Sequence, residues 1–484
     1  MTSPNTVISG GSSTILSGLM WLWCLASLGV LYATGEPLYL MVLLLLPLSM
    51  IMGLQLPFLL AMGFVLFSFF RLHEAFPLLM PFHIPKLLSL GAISSFGLLL
   101  LQKRIKLFWT PELTCFSLFF LYCTMGTLLA ENRGLAFAYW SGIYVKIAIM
   151  VLIITYLTQT PRQLRWVSRL IVLAGIAVAL VTIANKLQGI GLVEGTRVTI
   201  SRELGSILGD PNDLALTLLF PFSFAITLAM RWGVRWVDRF VGLFGTGIIL
   251  LAILYTQSRG GLLGVATVMF VLAWFRVRSK TLLITGGIIA LLALFTMAGI
   301  TDRISGGAQE AGLDESANIR LYAWFAAFKM ALYNPLTGVG LDNFYANFFF
   351  YSDFWDNKNH AVHSTWFGVM AETGFIGFGL FVAMIWQLLR AARKLHMDTL
   401  HAKGEDAQAL SLSITSEALL AGILSFIVSG TFLTQGFTWP VYILLALTVA
   451  AVRIHQHTLK QSVVNAHPLS ERQPITPTFT PLTQ

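Results

Sequence analysis

Residues 240–275 read FVGLFGTGIILLAILYTQSRGGLLGVATVMFVLAWF. Two apolar runs, 240–257 and 261–275, are separated only by the polar knot Ser258-Arg259-Gly260-Gly261. A helix of about 20 apolar residues spans the hydrocarbon of a bilayer, so this stretch is expected to form a membrane hairpin with Arg259 at its outer tip. Working outward, the same apolar length recurs from 15–33 near the start to 441–452 near the end, for about 12 to 14 spans in all. The runs 38–53 and 54–70 are nearly fused, with Pro47 and Pro57 as expected kinks.

Composition agrees with this reading. Of 484 residues, 56% are hydrophobic and 11% charged, and the mean hydropathy is +0.76, which excludes an ordinary soluble globular domain. The alternating short strands of a membrane β-barrel are missing. The expected fold is therefore all-α, a polytopic integral membrane protein with one large extracytoplasmic loop containing short helices. Cys24, Cys115 and Cys123 fall inside apolar runs, spaced for neither a metal site nor a disulfide framework, and are expected to pack.

The net charge of +9 does not point to nucleic acid, because the basic residues sit in short clusters between apolar runs. These are Lys103, Arg104 and Lys106; Arg162, Arg165 and Arg169; Arg231, Arg235 and Arg239; Arg276, Arg278 and Lys280; and Arg390, Arg393 and Lys394. Threading the spans puts every cluster and both termini on one side, which the positive-inside rule makes cytoplasmic. The N-terminus carries no cleavable signal that we can read, so the first span is expected to stay. The opposite face receives 186–212, the 258–261 knot and the long loop 300–373.

That loop has internal order. Apolar residues recur at helical spacing over 318–333, which predicts an amphipathic helix with Arg320 in its first turn. Asn334-Pro335 should end it, and Gly338 and Gly340 supply a permissive turn. His363 falls just before a further helix, with Ser364 as a candidate N-cap. The chain after Arg453, rich in Pro, Thr and Gln, reads as a disordered cytoplasmic tail.

The candidate site residues are those gathered on the outer face. Arg259 sits where the positive-inside rule disfavours it, which suits an anionic ligand, although an interfacial anchor is the alternative. Arg202 precedes Asp210-Pro211-Asn212 at the head of a span; it can bind substrate or simply pair with Glu203 or Glu194, while Asp210 or Asn212 caps the helix. Arg320 has a similar alternative in Asp314 or Glu315. Guanidinium groups hold phosphate oxygens in bidentate fashion, and a near-neutral histidine can take a proton from an attacking hydroxyl. His363 has the better claim to that role. His360 reads as a second substrate contact or a polar loop residue, and Glu372 as a group that orients the histidine or ends a helix before Gly374. No acidic or cysteine cluster is spaced to hold a metal, and no cofactor is implied.

At these residues the chain resembles the O-antigen ligase and O-antigen polymerase superfamily of bacterial membrane glycosyltransferases. The matching pieces are Asp210-Pro211-Asn212, Ser258-Arg259-Gly260-Gly261, Arg320 with Trp324, Asn334-Pro335-Leu336-Thr337-Gly338-Val339-Gly340, and His363-Ser364 followed by Ala371-Glu372-Thr373-Gly374 and Gly377. The resemblance covers roughly 202–386. It implies a metal-independent, inverting transfer of a glycan from an undecaprenyl diphosphate carrier to an acceptor hydroxyl, on a glycan or on lipid A core, at the periplasmic face of the bacterial inner membrane. By motif, Arg259 and Arg320 would hold the diphosphate and His363 would activate the acceptor, with Arg202, Asn212, His360 and Glu372 as substrate contacts; Arg197 competes with Arg202. Membrane lipids are the further partners. On this basis the chain divides into N-terminal helices 1–199, a ligase-like core 200–390 with the periplasmic loop 300–373, C-terminal helices 391–453 and the tail 454–484. The reading from another class is a multi-pass transporter or flippase, though no inverted repeat is visible and the charged residues lie at the outer surface, not at the membrane midplane.

Overall fold

A computed structural model of the chain describes residues 11–35, 43, 56–231, 233–297, 313–400 and 407–466. The fold is all-α and multi-pass. In chain order the principal helices are α1 (Gly11–Thr34), α2 (Pro57–Ser68), α3 (Ile84–Leu101), α4 (Pro111–Leu129), α5 (Arg133–Leu157), α6 (Pro161–Gln188), α7 (Pro211–Met230) and α8 (Trp236–Thr256). They continue as α9 (Arg259–Trp274), α10 (Lys280–Met297), α11 (Leu313–Tyr333), α12 (Phe344–Tyr351), α13 (Thr365–Thr399), α14 (Ala407–Ser429) and α15 (Trp439–Ala466). Among the described residues, 9 helices are long and apolar enough to cross a membrane, and shorter apolar helices occupy Trp21–Thr34, Pro57–Ser68, Arg259–Trp274 and Lys280–Leu294. The expected span 38–53, apart from Leu43, lies outside the described residues.

Local sequence explains where the helices begin. Pro161 and Pro211 stand at the first helical position, where a missing N–H costs nothing, and Thr160 and Asp210 cap those helices through their side-chain oxygens. Pro57 does the same for α2, so it starts a helix and does not kink one. Two other expectations shift. The loop helix α11 is already helical at Leu313, so Arg320 lies beyond its first turn; the residues before Ile319 are mostly polar and carry no apolar period to reveal the extra length. Helix α15 runs through Arg453 to Ala466, with Ile454 buried at 2% exposure, and Pro468 is the first residue that breaks helix-forming sequence. The rest of the tail, 467–484, lies outside the described residues.

Helix α7 is the centre of the bundle. Its residues are buried on nearly every side, and it packs against α6, α8, α9 and α14. Helix α11 lies beside α13 and carries α12. Ala323, Ala326, Ala327 and Met330 on one face of α11 join Val339, Phe344, Phe348, Val362 and Ala371 in a small core separate from that of the bundle. The long loop is thus a packed subdomain, built on one apolar helical stripe.

The two ends of the bundle differ in chemistry. At one end basic residues meet acids and carbonyls: Arg169 makes a two-pronged contact with Asp238 at 2.7 and 2.8 Å, and Arg231 and Arg276 both reach Glu417. These residues come from the clusters expected on the cytoplasmic side. The other end joins Ser201 to the Glu74 carbonyl, Thr196 to Gln257, Asn132 to Asn343 and Thr365 to Leu433. All the candidate site residues lie at this second end.

Candidate functional site

The site begins where α6 ends. Gly189 closes the helix in the left-handed conformation, and a small antiparallel hairpin follows, in which Val193 pairs with Arg197. The turn places the Arg197 side chain inside the protein, at 6% exposure. Its Nε donates to the Thr256 carbonyl at 3.1 Å and its Nη2 to Asn212 Oδ1 at 2.9 Å, while Glu194 lies 3.6 Å away. The planar fork of an arginine suits such a fixed set of acceptors. Asn212 Oδ1 also accepts from Ser258 Oγ at 2.9 Å. One amide oxygen therefore links the hairpin, the head of α7 and the tip of the α8–α9 hairpin.

Helix heads gather here. Asp210 caps α7, accepting from the N–H groups of Asn212 at 2.7 Å and Asp213 at 3.3 Å. Ser258 caps α9 by accepting from Gly261 N at 3.2 Å, so Arg259 is the first residue of that helix. Ser364 caps α13 by accepting from Phe367 N. Gln435 bridges two of these heads: its Nε2 donates to Asp213 Oδ1 at 2.6 Å and its backbone N–H to Thr365 Oγ1 at 3.1 Å. Helix N-termini carry partial positive charge and suit anions. Arg197 and Arg259 stand among these helix heads, beside the carboxylates of Asp210 and Asp213.

His363 stands immediately before α13, in the left-handed region at φ 45°. Histidine enters that region more readily than most residues, but the conformation still costs energy and recurs at functional sites. Burial and the positive charge of Arg320 hold its imidazole below the ordinary value, with His360 and Arg197 acting the same way and Asp210 opposing. The shift favours the neutral ring, the form that can accept a proton. Trp324 donates from Nε1 to the Val362 carbonyl at 3.0 Å and stacks on Phe367 at 5.2 Å. Since Trp324 follows Arg320 by one helical turn, the same face of α11 carries both toward His363.

The remaining candidates take other positions. Arg202 is exposed, at the start of a short 3-10 turn (Arg202–Leu204), and Glu194, one of its expected partners, pairs with Arg197. His360 Nε2 lies 2.9 Å from Asp356 Oδ1 and the ring packs against Phe348. Glu372 Oε1 accepts from Phe344 N at 3.4 Å, at the head of α12.

The glycine motifs are architectural. Gly374 interrupts α13 at φ 66°, ψ −171°, and the carbonyls of Ala371 and Glu372 before this break accept from Val339 N at 2.9 Å and Gly340 N at 3.2 Å. Phe375 N returns to the Pro335 carbonyl at 2.9 Å. A side chain at Gly338 would place its first carbon 2.3 Å from the Ala371 carbonyl oxygen, and one at Gly374 would lie 2.6 Å from that of Pro335. The 334–340 turn and the 371–375 break are one interlocked unit, which aligns α11 with the head of α13.

Arg197, Asp213 and Gln435 were not singled out from sequence as site residues, apart from Arg197 as a competitor of Arg202. The hairpin that buries Arg197 had no apolar period to announce it, and Gln435 is distant in sequence; its only signal was an isolated polar residue between two spans. Among the described residues, no group of His, Cys, Asp and Glu side chains is arranged to hold a metal ion.

The fold is that of a multi-pass membrane protein. Residues 244–382 match the O-antigen ligase family (Wzy_C), in keeping with the resemblance to that superfamily, and the match supports a glycosyltransferase-like role in polysaccharide biosynthesis. The match begins in α8 and ends in α13, taking in Arg259, Arg320 and His363. No curated protein matches the chain.

Proposed function

We propose that the protein transfers a glycan from an undecaprenyl diphosphate carrier to an acceptor hydroxyl, as an O-antigen ligase or polymerase, on the periplasmic face of a bacterial inner membrane. The observation that carries this reading is the position of His363 at the head of α13, in the left-handed conformation and under the charge of Arg320. A neutral imidazole takes the proton of the acceptor hydroxyl as its oxygen attacks the anomeric carbon. The bond from that carbon to the carrier oxygen breaks, and the diphosphate leaves with the electron pair. Arg320 and Arg259 offset the charge that develops on it, with Arg197 and the helix N-termini adding to the same field. The arginines supply the charge that a divalent ion supplies elsewhere, so the reaction runs without a metal. A single displacement with the base on one side and the leaving group on the other inverts the anomeric configuration.

The orientation rests on the basic clusters at the opposite end, which the positive-inside rule puts in the cytoplasm. Complementation of a surface-polysaccharide defect tests the reading. Wild type should restore long chains, and His363→Ala should accumulate carrier-linked glycan at normal expression; its chain length separates polymerase from ligase. A His363→Ala variant that restores long chains as well as wild type would count against the transferase.

A further inference from the structure

A cleft lies on the loop subdomain, and His363 is not among the residues that line it. Its volume is about 670 Å³, and its walls come from the C-terminal turn of α11, from α12 and from Glu131 after α4. The lining on α11 and its end runs from nine residues (Lys329) to fourteen residues (Asn334) beyond Arg320, which at 1.5 Å per residue is about 14 to 20 Å from the arginine. The proposed chemistry at His363 does not use it.

The lining is chemically specific. The rim carries Tyr333 and Phe350, aromatic rings 72% and 74% exposed to solvent. The floor is polar and ordered: Tyr351 Oη donates to Glu131 Oε1 at 2.8 Å, and Asn334 Nδ2 donates to Tyr351 Oη at 3.2 Å. Lys329 pairs with Asp353 at the edge. Exposed rings beside fixed carboxylate and amide groups match a pyranose, whose C–H face stacks on the electron-rich face of an aromatic ring while its hydroxyls bond to the polar groups. A lipid tail would desolvate the polar floor without replacing its hydrogen bonds. Glu131 and Asp353 outnumber Lys329, so the cleft repels anionic sugars.

We propose that this cleft is a second glycan-binding subsite, which holds uncharged or amino-substituted pyranose units of a long saccharide several sugars from its reacting end. That it serves a reacting chain rests on the transferase reading; that it binds saccharide rests on the cleft alone. It would make the protein select for chain length, because a short glycan cannot reach both places.

The test uses full-length protein in detergent micelles and the soluble glycan released by mild acid from the host's own carrier-linked pool, titrated by calorimetry. Wild type and His363→Ala should bind it equally, and the double variant Tyr333→Ala, Phe350→Ala should bind about tenfold more weakly at unchanged Tm. Oligogalacturonate, an anionic comparator, should not compete. Equal binding by the double variant, or no binding by wild type, overturns the proposal. In a transfer assay the double variant should lose activity on long-chain donors and keep it on donors bearing one repeat. Binding by wild type that disappears in the double variant, with no transfer from any donor, would leave the subsite standing and sink the transferase reading.

Discussion

Trp324 Nε1 donates to the Val362 carbonyl at 3.0 Å, so a single bond ties the helix of Arg320 to the backbone that sets His363. The bond fixes the guanidinium and the imidazole relative to each other although neither takes part in it. Trp324→Phe keeps the ring stacked on Phe367 and removes only the donor, leaving the Val362 carbonyl to be satisfied elsewhere. We expect stability to fall by about 1 kcal/mol and the rate of glycan transfer to fall more than that loss implies, roughly tenfold, because misplacement of a base is costly. Thermal unfolding and a transfer assay on the same preparation separate the two effects.

Burial separates Arg197 from Arg202. Arg197 fills a fixed set of acceptors, including Asn212 Oδ1 at 2.9 Å, so Arg197→Lys loses the fork and leaves part of that set unpaired. Its transfer rate should drop at least tenfold. Arg202→Ala removes an exposed side chain, and its rate should stay within about twofold of wild type, as surface substitutions usually do. Parallel rate measurements on the two variants decide the matter; a larger loss at Arg202 would reverse the assignment.

The imidazole of His363 is held down by burial first and by Arg320 second. A base with a lowered pKa stays neutral to lower pH, so the acid limb of the rate profile should lie below the ordinary histidine range. Removing the guanidinium charge in Arg320→Gln raises the His363 pKa, and the acid limb, normalised to its plateau, should move toward higher pH. The plateau itself should also fall. An acid limb that does not move would show that the titrating group is not His363.

Gly374 occupies φ 66° with the Pro335 carbonyl 2.6 Å from where a side chain would start. Gly374→Ala meets both the left-handed penalty and the contact, and should cost at least about 2 kcal/mol. Loss of Tm in micelles measures it. Gly126, where a side chain meets nothing within 4 Å, is the control, and Gly126→Ala should be neutral or slightly stabilising.

Much of this architecture was legible in the sequence because its causes are local. Apolar length revealed the membrane helices, and the short polar side chains of Asp210 and Ser364 marked helix starts through hydrogen bonds to N–H groups two or three residues on. Asn334-Pro335 stopped α11 for the same kind of reason. What escaped depended on contacts between distant segments. Arg197 and Arg202 look alike in sequence, and only the fold of the 189–198 hairpin buries one and exposes the other. Gln435 reaches Asp213 across 222 positions, and no local pattern records that. Glu372 reads as a histidine partner by proximity in sequence, yet the break at Gly374 and the 334–340 turn bring it to the α12 backbone. The extension of α11 to Leu313 was hidden because polar helical turns lack an apolar period.

The central claim is that His363 acts as the base in glycan transfer and does not hold the donor. The most direct test measures, on purified His363→Ala, both binding of the undecaprenyl diphosphate-linked glycan and single-turnover transfer to an acceptor. The account predicts donor affinity within about twofold of wild type and a transfer rate lower by about 10²–10⁴. Transfer at the wild-type rate, or a collapse of donor binding equal to the loss of rate, would contradict it.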